Sequence, residues 1–249
     1  MTSRRIAIMQ PYLFPYLGYF QLAQAVDEFW LLDTVQFIRN GWMNRNALGV
    51  AGQRSLFTLP VRRASHDTLI RGMRYDPRVR HVLGKLEKTL LQAYAGRPGV
   101  TRAQALLQSL GAYLDRAEEA PDFTAATEHA LRATFQSLGI ETPVRRASSL
   151  NVPEDLRGQA RVIAICKEAG ATDYVNMAGG RALYDAAEFE AAGLTLWLLS
   201  PSLPPYDQGG PPFLPGLSIL DPIAHLRQGA LRPMLRQGQT VRALAQGVS

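Results

Sequence analysis

Cysteine is almost absent from this chain: Cys166 stands alone among 249 residues, so no internal disulfide can form and no thiolate metal centre is available. No run of about eighteen uninterrupted apolar residues occurs, which excludes a membrane-spanning helix. The apolar stretch ahead of Gln10 and Pro11 is too short for a secretory signal peptide. The expectation is a cytoplasmic protein without membrane insertion. Histidine is scarce as well. His66, His81, His129 and His225 stand far apart, none has a partner four residues away, and no acidic cluster has ligand spacing, so no metal-dependent reaction is expected. The phosphate loops GxGxxG and GxxxxGK[ST] and the GxSxG nucleophile elbow are all missing. Cys166, in the middle of an apolar helical stretch, reads as an inert thiol. Acid is absent after Asp221, where Arg227, Arg232, Arg236 and Arg242 carry much of a formal charge of +6. Such a tail permits contact with phosphate, in a nucleotide or in RNA, and equally suits a solvated helix face.

What is present is ample apolar material, 47% of the chain, enough to bury a core. RRIAIM (4–9) and FWLLD (29–33) read as short buried strands, and GYFQLAQAVDE between them places Tyr19, Leu22, Ala23 and Val26 at helical spacing. A strand, loop, helix, strand unit of this kind makes parallel neighbours through a right-handed crossover, and ligands gather at the carboxyl ends of its strands. QPYLFPY is the loop at the first strand end, so its rings, stiffened by Pro11 and Pro15, are expected to line a pocket mouth. SLFTLPVR (55–62) alternates as a further strand. Helices are predicted over 79–95, 102–119 and 122–140, the last starting at Asp122 or Thr124 and stopping at Gly139. Strand character returns over 143–147, 172–176 and 194–200, with a helix at 160–170, a Pro- and Gly-rich loop over 201–218, and ILDPIAHL as the first turn of a terminal helix. The expected architecture is α/β: a Rossmann-like, mostly parallel sheet in one domain over residues 1–249, with a helical insertion forming a subdomain at about 78–140.

Several polar residues fall in or just beyond the strand ends. Gln10, Asp33, Gln36, Arg39, Trp42, Asn44, Arg45 and Asn46 form one group. Its amides can read a sugar or carboxamide, and its guanidinium groups can grip carboxylate or phosphate by two hydrogen bonds. Asn44 alone suits a turn equally well. In the Pro-stiffened loop, Tyr206, Asp207 and Gln208 precede Ser218 and Asp221. Tyr206 can stack on a ring, donate its hydroxyl, or plug the loop onto the core with Phe213. Ser218 reads as a helix cap, and Asp221 as a cap that can also bind. Gly179 and Gly180 follow a strand end, where bare backbone can approach a ligand. These segments are expected to converge on one cavity.

The blocks QPYLFPYLGYFQLAQAVDEFWLLDTVQF, GWMNRN, FTLPV, GQARVIAICKEAGATDYVN with its following GG and Tyr184, PPYDQ and LPGLSILD together resemble the WbqC-like protein family. The resemblance runs from residue 6 to about 225 and leaves out the helical middle. It departs where the family tends to have a Lys-His pair, Lys85 being followed here by Leu86 with His81 nearest, and in the Arg-rich tail. What it implies is a glycine (aminoacyl) transferase, an N-acyltransferase acting on the amine of an aminodeoxysugar carried as a sugar nucleotide, in glycan, O-antigen or lipopolysaccharide biosynthesis. No tightly bound cofactor is expected; ATP, through an acyl-adenylate, or aminoacyl-tRNA would serve as co-substrate. Under that reading Asp33 is base or amine anchor, and Asn44, Arg45 and Asn46 contact oxyanion and phosphate. Tyr12, Tyr19 and Trp42 are stacking walls, and Gln10, Gln36, Arg39, Asn176, Gly179, Gly180, Tyr184, Tyr206, Gln208 and Asp221 bind substrate. The alternative is a non-catalytic module that binds a nucleotide sugar or RNA.

Overall fold

The computed structural model describes residues 3–117 and 120–244. Its elements in chain order are β1 (Arg5–Met9), α1 (Leu17–Gln24), β2 (Glu28–Leu31), β3 (Arg45–Val50), β4 (Gln53–Thr58), α2 (Val79–Ala93), α3 (Val100–Asp115), α4 (Phe123–Leu138) and β5 (Val144–Arg146). Then come α5 (Gly158–Glu168), β6 (Asp173–Met177), α6 (Ala186–Ala191), β7 (Thr195–Ser200), α7 (Leu220–His225), α8 (Gln228–Met234) and β8 (Gln239–Arg242). Six strands make one sheet in the order β5-β2-β1-β6-β7-β8, parallel throughout except for the antiparallel β7–β8 pair. Numbered by their sequence among the sheet strands, these run 3-2-1-4-5-6, the order of doubly wound dinucleotide-binding sheets. The fold is therefore the expected Rossmann-like α/β class, and the helices expected at about 78–140 form α2, α3 and α4 in the connection between β2 and β5.

Alternation along the strands makes both faces apolar. Ile6, Ile8, Trp30, Tyr174, Leu196 and Leu198 face one side, where Val162, Ile165 and Phe189 of α5 and α6 cover them. Ala7, Phe29, Leu31, Val175 and Leu199 face the other, under α1 and α4, where Phe135 meets Phe20 and Phe29 edge-on. Period-two side chains on a sheet covered twice are what a parallel sheet requires. Helix α4 shows why the middle of the chain is helical. The Asp122 carboxylate accepts from the Ala125 N–H at 2.7 Å, satisfying a first-turn donor, and Gly139 ends the helix in the left-handed region at φ 73°. Of the 102–119 helix expected from sequence, residues 118 and 119 lie outside the described residues.

Three expectations need correction. The Asn-Arg-Asn string is not a loop: Arg45 and Asn46 open β3, which pairs with β4 in a separate two-stranded hairpin turned by Ala51 and Gly52, both at positive φ. The basic tail is not one helix, because Leu226 is extended after α7, and the chain beyond α8 becomes the edge strand β8. Finally, the rings after β1 are mostly core. Leu13, Phe14, Tyr19 and Phe20 are fully buried, and only Tyr12 and Tyr16 are half-buried. The loop is a packing junction: Leu13 N–H donates to the Met43 carbonyl at 2.8 Å and Ile219 N–H to the Pro15 carbonyl at 2.8 Å.

Candidate functional site

The carboxyl ends of β1, β2 and β5 open into a cavity of about 960 Å³, lined in part by Gln10, Gln36, Arg71, Ser148, Arg157 and Arg161. Its floor is built by the strand ends. Asp33, just past β2 and fully buried, accepts from the Ser148 N–H at 2.9 Å and from the Ser148 Oγ at 2.6 Å, tying β2 to the turn that follows β5. Ser148 lines the cavity, and Asp33 stands behind it. Arg161, from the first turns of α5, is only 5% exposed and donates to three backbone carbonyls: Thr34 at 2.9 Å, Glu154 at 2.7 Å and Leu156 at 2.8 Å. Among the described residues no carboxylate forms an ion pair with it. Burial, helped by the charge of Arg157, pulls its pKa below the ordinary guanidinium value. A buried cation held by carbonyl dipoles, with the Glu154 and Asp155 charges acting on it without a direct ion pair, still attracts an anion. The rim is mixed in charge: Arg71 pairs with Glu154 at 2.6 Å, Gln36 donates to Asp67 at 3.3 Å, and Asp155 completes the acidic side.

Tyr206, Gln208 and Asp221 belong elsewhere, around a second cavity of about 350 Å³ lined by Gln208 and Asp221 with Gly49, Arg97 and His225. The buried Asp221 carboxylate accepts from Tyr206 at 2.5 Å and Gln208 at 3.3 Å on one oxygen, and from Tyr94 at 2.6 Å and the Gly49 N–H at 3.3 Å on the other. Burial and the Asp221 charge drive both tyrosine pKa values far up, so both hydroxyls stay protonated as donors. A third cavity, about 600 Å³, is lined by Gly179 and Tyr184 beside Arg181 and Asp185.

The expected single cavity is not what the fold builds, since these three openings share no lining residue. Gln10 and Gln36 reach the strand-end cavity. Tyr19 is core and donates to the Gln10 carbonyl at 2.9 Å, while Tyr12 stacks on Tyr19 and donates to Gln10 Oε1 at 3.2 Å. Asn44 donates to the Leu59 carbonyl at 2.8 Å and Asn46 to the Phe14 carbonyl at 2.7 Å, both as buried packing contacts. Arg45 donates to the Asn40 carbonyl at 2.7 Å and lies over the exposed Trp42 ring at 4.8 Å. Arg39 is exposed and donates to the Ala64 carbonyl. Asn176 is buried on β6 with its amide packed over Gly180, where an added Cβ would sit 2.5 Å from Nδ2. The Tyr184 hydroxyl meets that of Tyr174 at 3.3 Å. Cys166 is buried and its thiol is pushed up to about 12. Among the described residues no group of three or more His, Cys, Asp or Glu could hold a metal ion, and no helix is long and apolar enough to cross a membrane.

Ser148, Arg71, Arg157 and Arg161 were not among the residues picked out from sequence. Ser148 lies two residues past the third parallel strand, in the same strand-end position that marks Gln10 and Gln36.

A family model, the WbqC-like protein family, matches residues 10–232. The chain is 26% identical over 231 residues to the uncharacterized protein Rv1507c of Mycobacterium tuberculosis, covering 88% of this chain and 92% of that one. No solved structure matches.

Proposed function

Because the chain belongs to the WbqC-like protein family, we propose that it is a transferase that moves an aminoacyl group, glycyl in the first instance, onto the amine of an aminodeoxysugar held as a sugar nucleotide. The observation that carries this reading is the Asp33–Ser148 pair, 2.6 Å between Oδ2 and Oγ, in the wall of the strand-end cavity. In the reaction the sugar nitrogen forms a bond to the acyl carbonyl carbon, and the activating group leaves. The departing amine proton passes to Ser148 Oγ while the hydroxyl proton passes to Asp33, and the relay returns a proton to the leaving oxygen where that is a 3′-hydroxyl. Arg157, Arg161 and the uncapped start of α5 supply positive potential for a diphosphate. Gln10 and Gln36 face the sugar, and Asp67 and Asp155 take the first proton from an amine that arrives protonated, which frees its lone pair for attack. Asn44 and Asn46 have structural roles in this reading.

The leaving group is a tRNA 3′-hydroxyl or the AMP of an acyl-adenylate, and the product enters glycan or O-antigen-type biosynthesis. A second reading, a nucleotide-sugar module without chemistry, is favoured by one fact: both Asp33 oxygens are already occupied by Ser148. The two separate in one experiment. Purified protein is incubated with an aminosugar nucleotide, glycine, and either ATP or charged tRNA, and acylated sugar is sought by mass spectrometry. The transferase reading expects product, reduced about 100-fold or more in Ser148→Ala with nucleotide affinity retained. Tight sugar-nucleotide binding with no product from either donor would leave the module.

A further inference from the structure

The second cavity has a feature that the proposed reaction does not use. His225 is 8% exposed, lines the cavity, and makes no hydrogen bond; its Nδ1 is sealed in the interior without a partner. The ring packs edge-on against Tyr94, with centroids 5.0 Å apart. A proton on Nδ1 would be a buried orphan donor, so the neutral ring carries its proton on Nε2, the nitrogen left to address the cavity. Beside it Arg97 reaches the rim, held by Asp207 at 3.2 Å, an ion pair whose carboxylate is 77% exposed. Asp221 is engaged by its own neighbours: Tyr94 and Tyr206 each hold one oxygen, and Gly49 N–H and Gln208 Nε2, shared with those hydroxyls, reach it at 3.3 Å. The polar groups left to meet a ligand are thus donors, one of them cationic, in a space at the small end of ligand cavities.

We propose that this cavity is a binding site for a small carboxylate, which accepts from His225 Nε2 and takes the place of Asp207 on Arg97. The exposed Arg97–Asp207 pair is weak enough to exchange, and Asp207 is the internal mimic of the ligand. The buried charge of Asp221 opposes an anion; the four donors around it and the Arg97 charge offset that repulsion. The site shares no lining residue with the strand-end cavity, so it stands whether or not acyl transfer occurs there.

The test titrates the full chain with sodium acetate at constant ionic strength, with chloride and inorganic phosphate as comparison anions. It follows imidazole nitrogen resonances by NMR, the His225 signal being assigned by its loss in His225→Phe. Acetate is expected to shift that signal saturably. Arg97→Gln should weaken binding about tenfold or more, and Asp207→Ala, which removes the internal competitor, should tighten it. Folding of each variant is checked by circular dichroism. No saturable shift, equal affinity in Arg97→Gln, weaker binding in Asp207→Ala, or binding of phosphate but not acetate would each overturn the assignment.

Discussion

Asn46 was picked out as a polar residue suited to a ligand, and its surroundings show why it is a packing residue. Its amide donates to the Phe14 carbonyl, which also accepts from Ser218 Oγ at 2.8 Å, and its Oδ1 accepts from the Ala47 N–H at 2.8 Å. Phe14 has φ 43°, a left-handed conformation unfavourable for a bulky side chain, and the two hydrogen bonds on its carbonyl hold it there. His225 makes a different contribution, visible on the pH axis. Burial holds its pKa below the ordinary imidazole value of 6.5, against the opposing pull of Asp221. The unfolded chain then takes up a proton that the folded chain refuses. Its share of stability is therefore complete above pH 6.5 and lost as pH falls from there through the folded value. Urea midpoints measured across this range should decline on the acidic side, and His225→Phe, which keeps the edge contact with Tyr94, should flatten that decline.

At the level of elements, α4 joins the insertion to the sheet, and its ends are set by two residues. Asp122 caps its start and also pairs with Arg74 at 2.8 Å. Asp122→Ala should destabilise the protein by about 1 kcal/mol, the usual loss of an N-cap, as measured by thermal unfolding. A loss near zero would mean that water or Arg74 rearrangement satisfies the freed donors. Helix α4 was legible in sequence because capping residue, apolar spacing and terminal glycine agree along one stretch. Of the β3–β4 hairpin only β4 was legible, from the alternation over 55–62; β3 and the turn were not, because an Ala-Gly turn is a weak hairpin signal beside Asn-Gly. The tail misled for a related reason. ILDPIAHL does start a helix, but nothing in its composition announces that Gln239–Arg242 will find the free edge of β7.

For the whole molecule, the doubly wound sheet leaves one end where three parallel strands stop together, and the cavity of about 960 Å³ lies there. A ligand that occupies it only in the folded state stabilises the protein by mass action, about 2.7 kcal/mol at a hundredfold excess over Kd. A nucleoside diphosphate sugar should therefore raise the melting temperature, and Arg157→Ala, an exposed change at the α5 start, should shrink that rise while leaving the ligand-free value nearly unchanged. An equal rise in the variant would move the diphosphate away from α5. Gln10 and Gln36 could be placed at this opening from sequence, because strand ends are local features. Arg161 could not, since it reads as one position of an amphipathic helix until α5 is packed across the sheet.

The linear chain settled the α/β class, the buried strands and the helices of the insertion, because these follow from short-range spacing of apolar residues, caps and breakers. Which polar residues share a cavity was decided only when the chain closed on itself. Asp33 meets Ser148 across 115 positions, and Tyr94 meets Asp221 across 127. Such pairings arise from strand order and crossover direction, and no local pattern encodes a distance between segments so far apart.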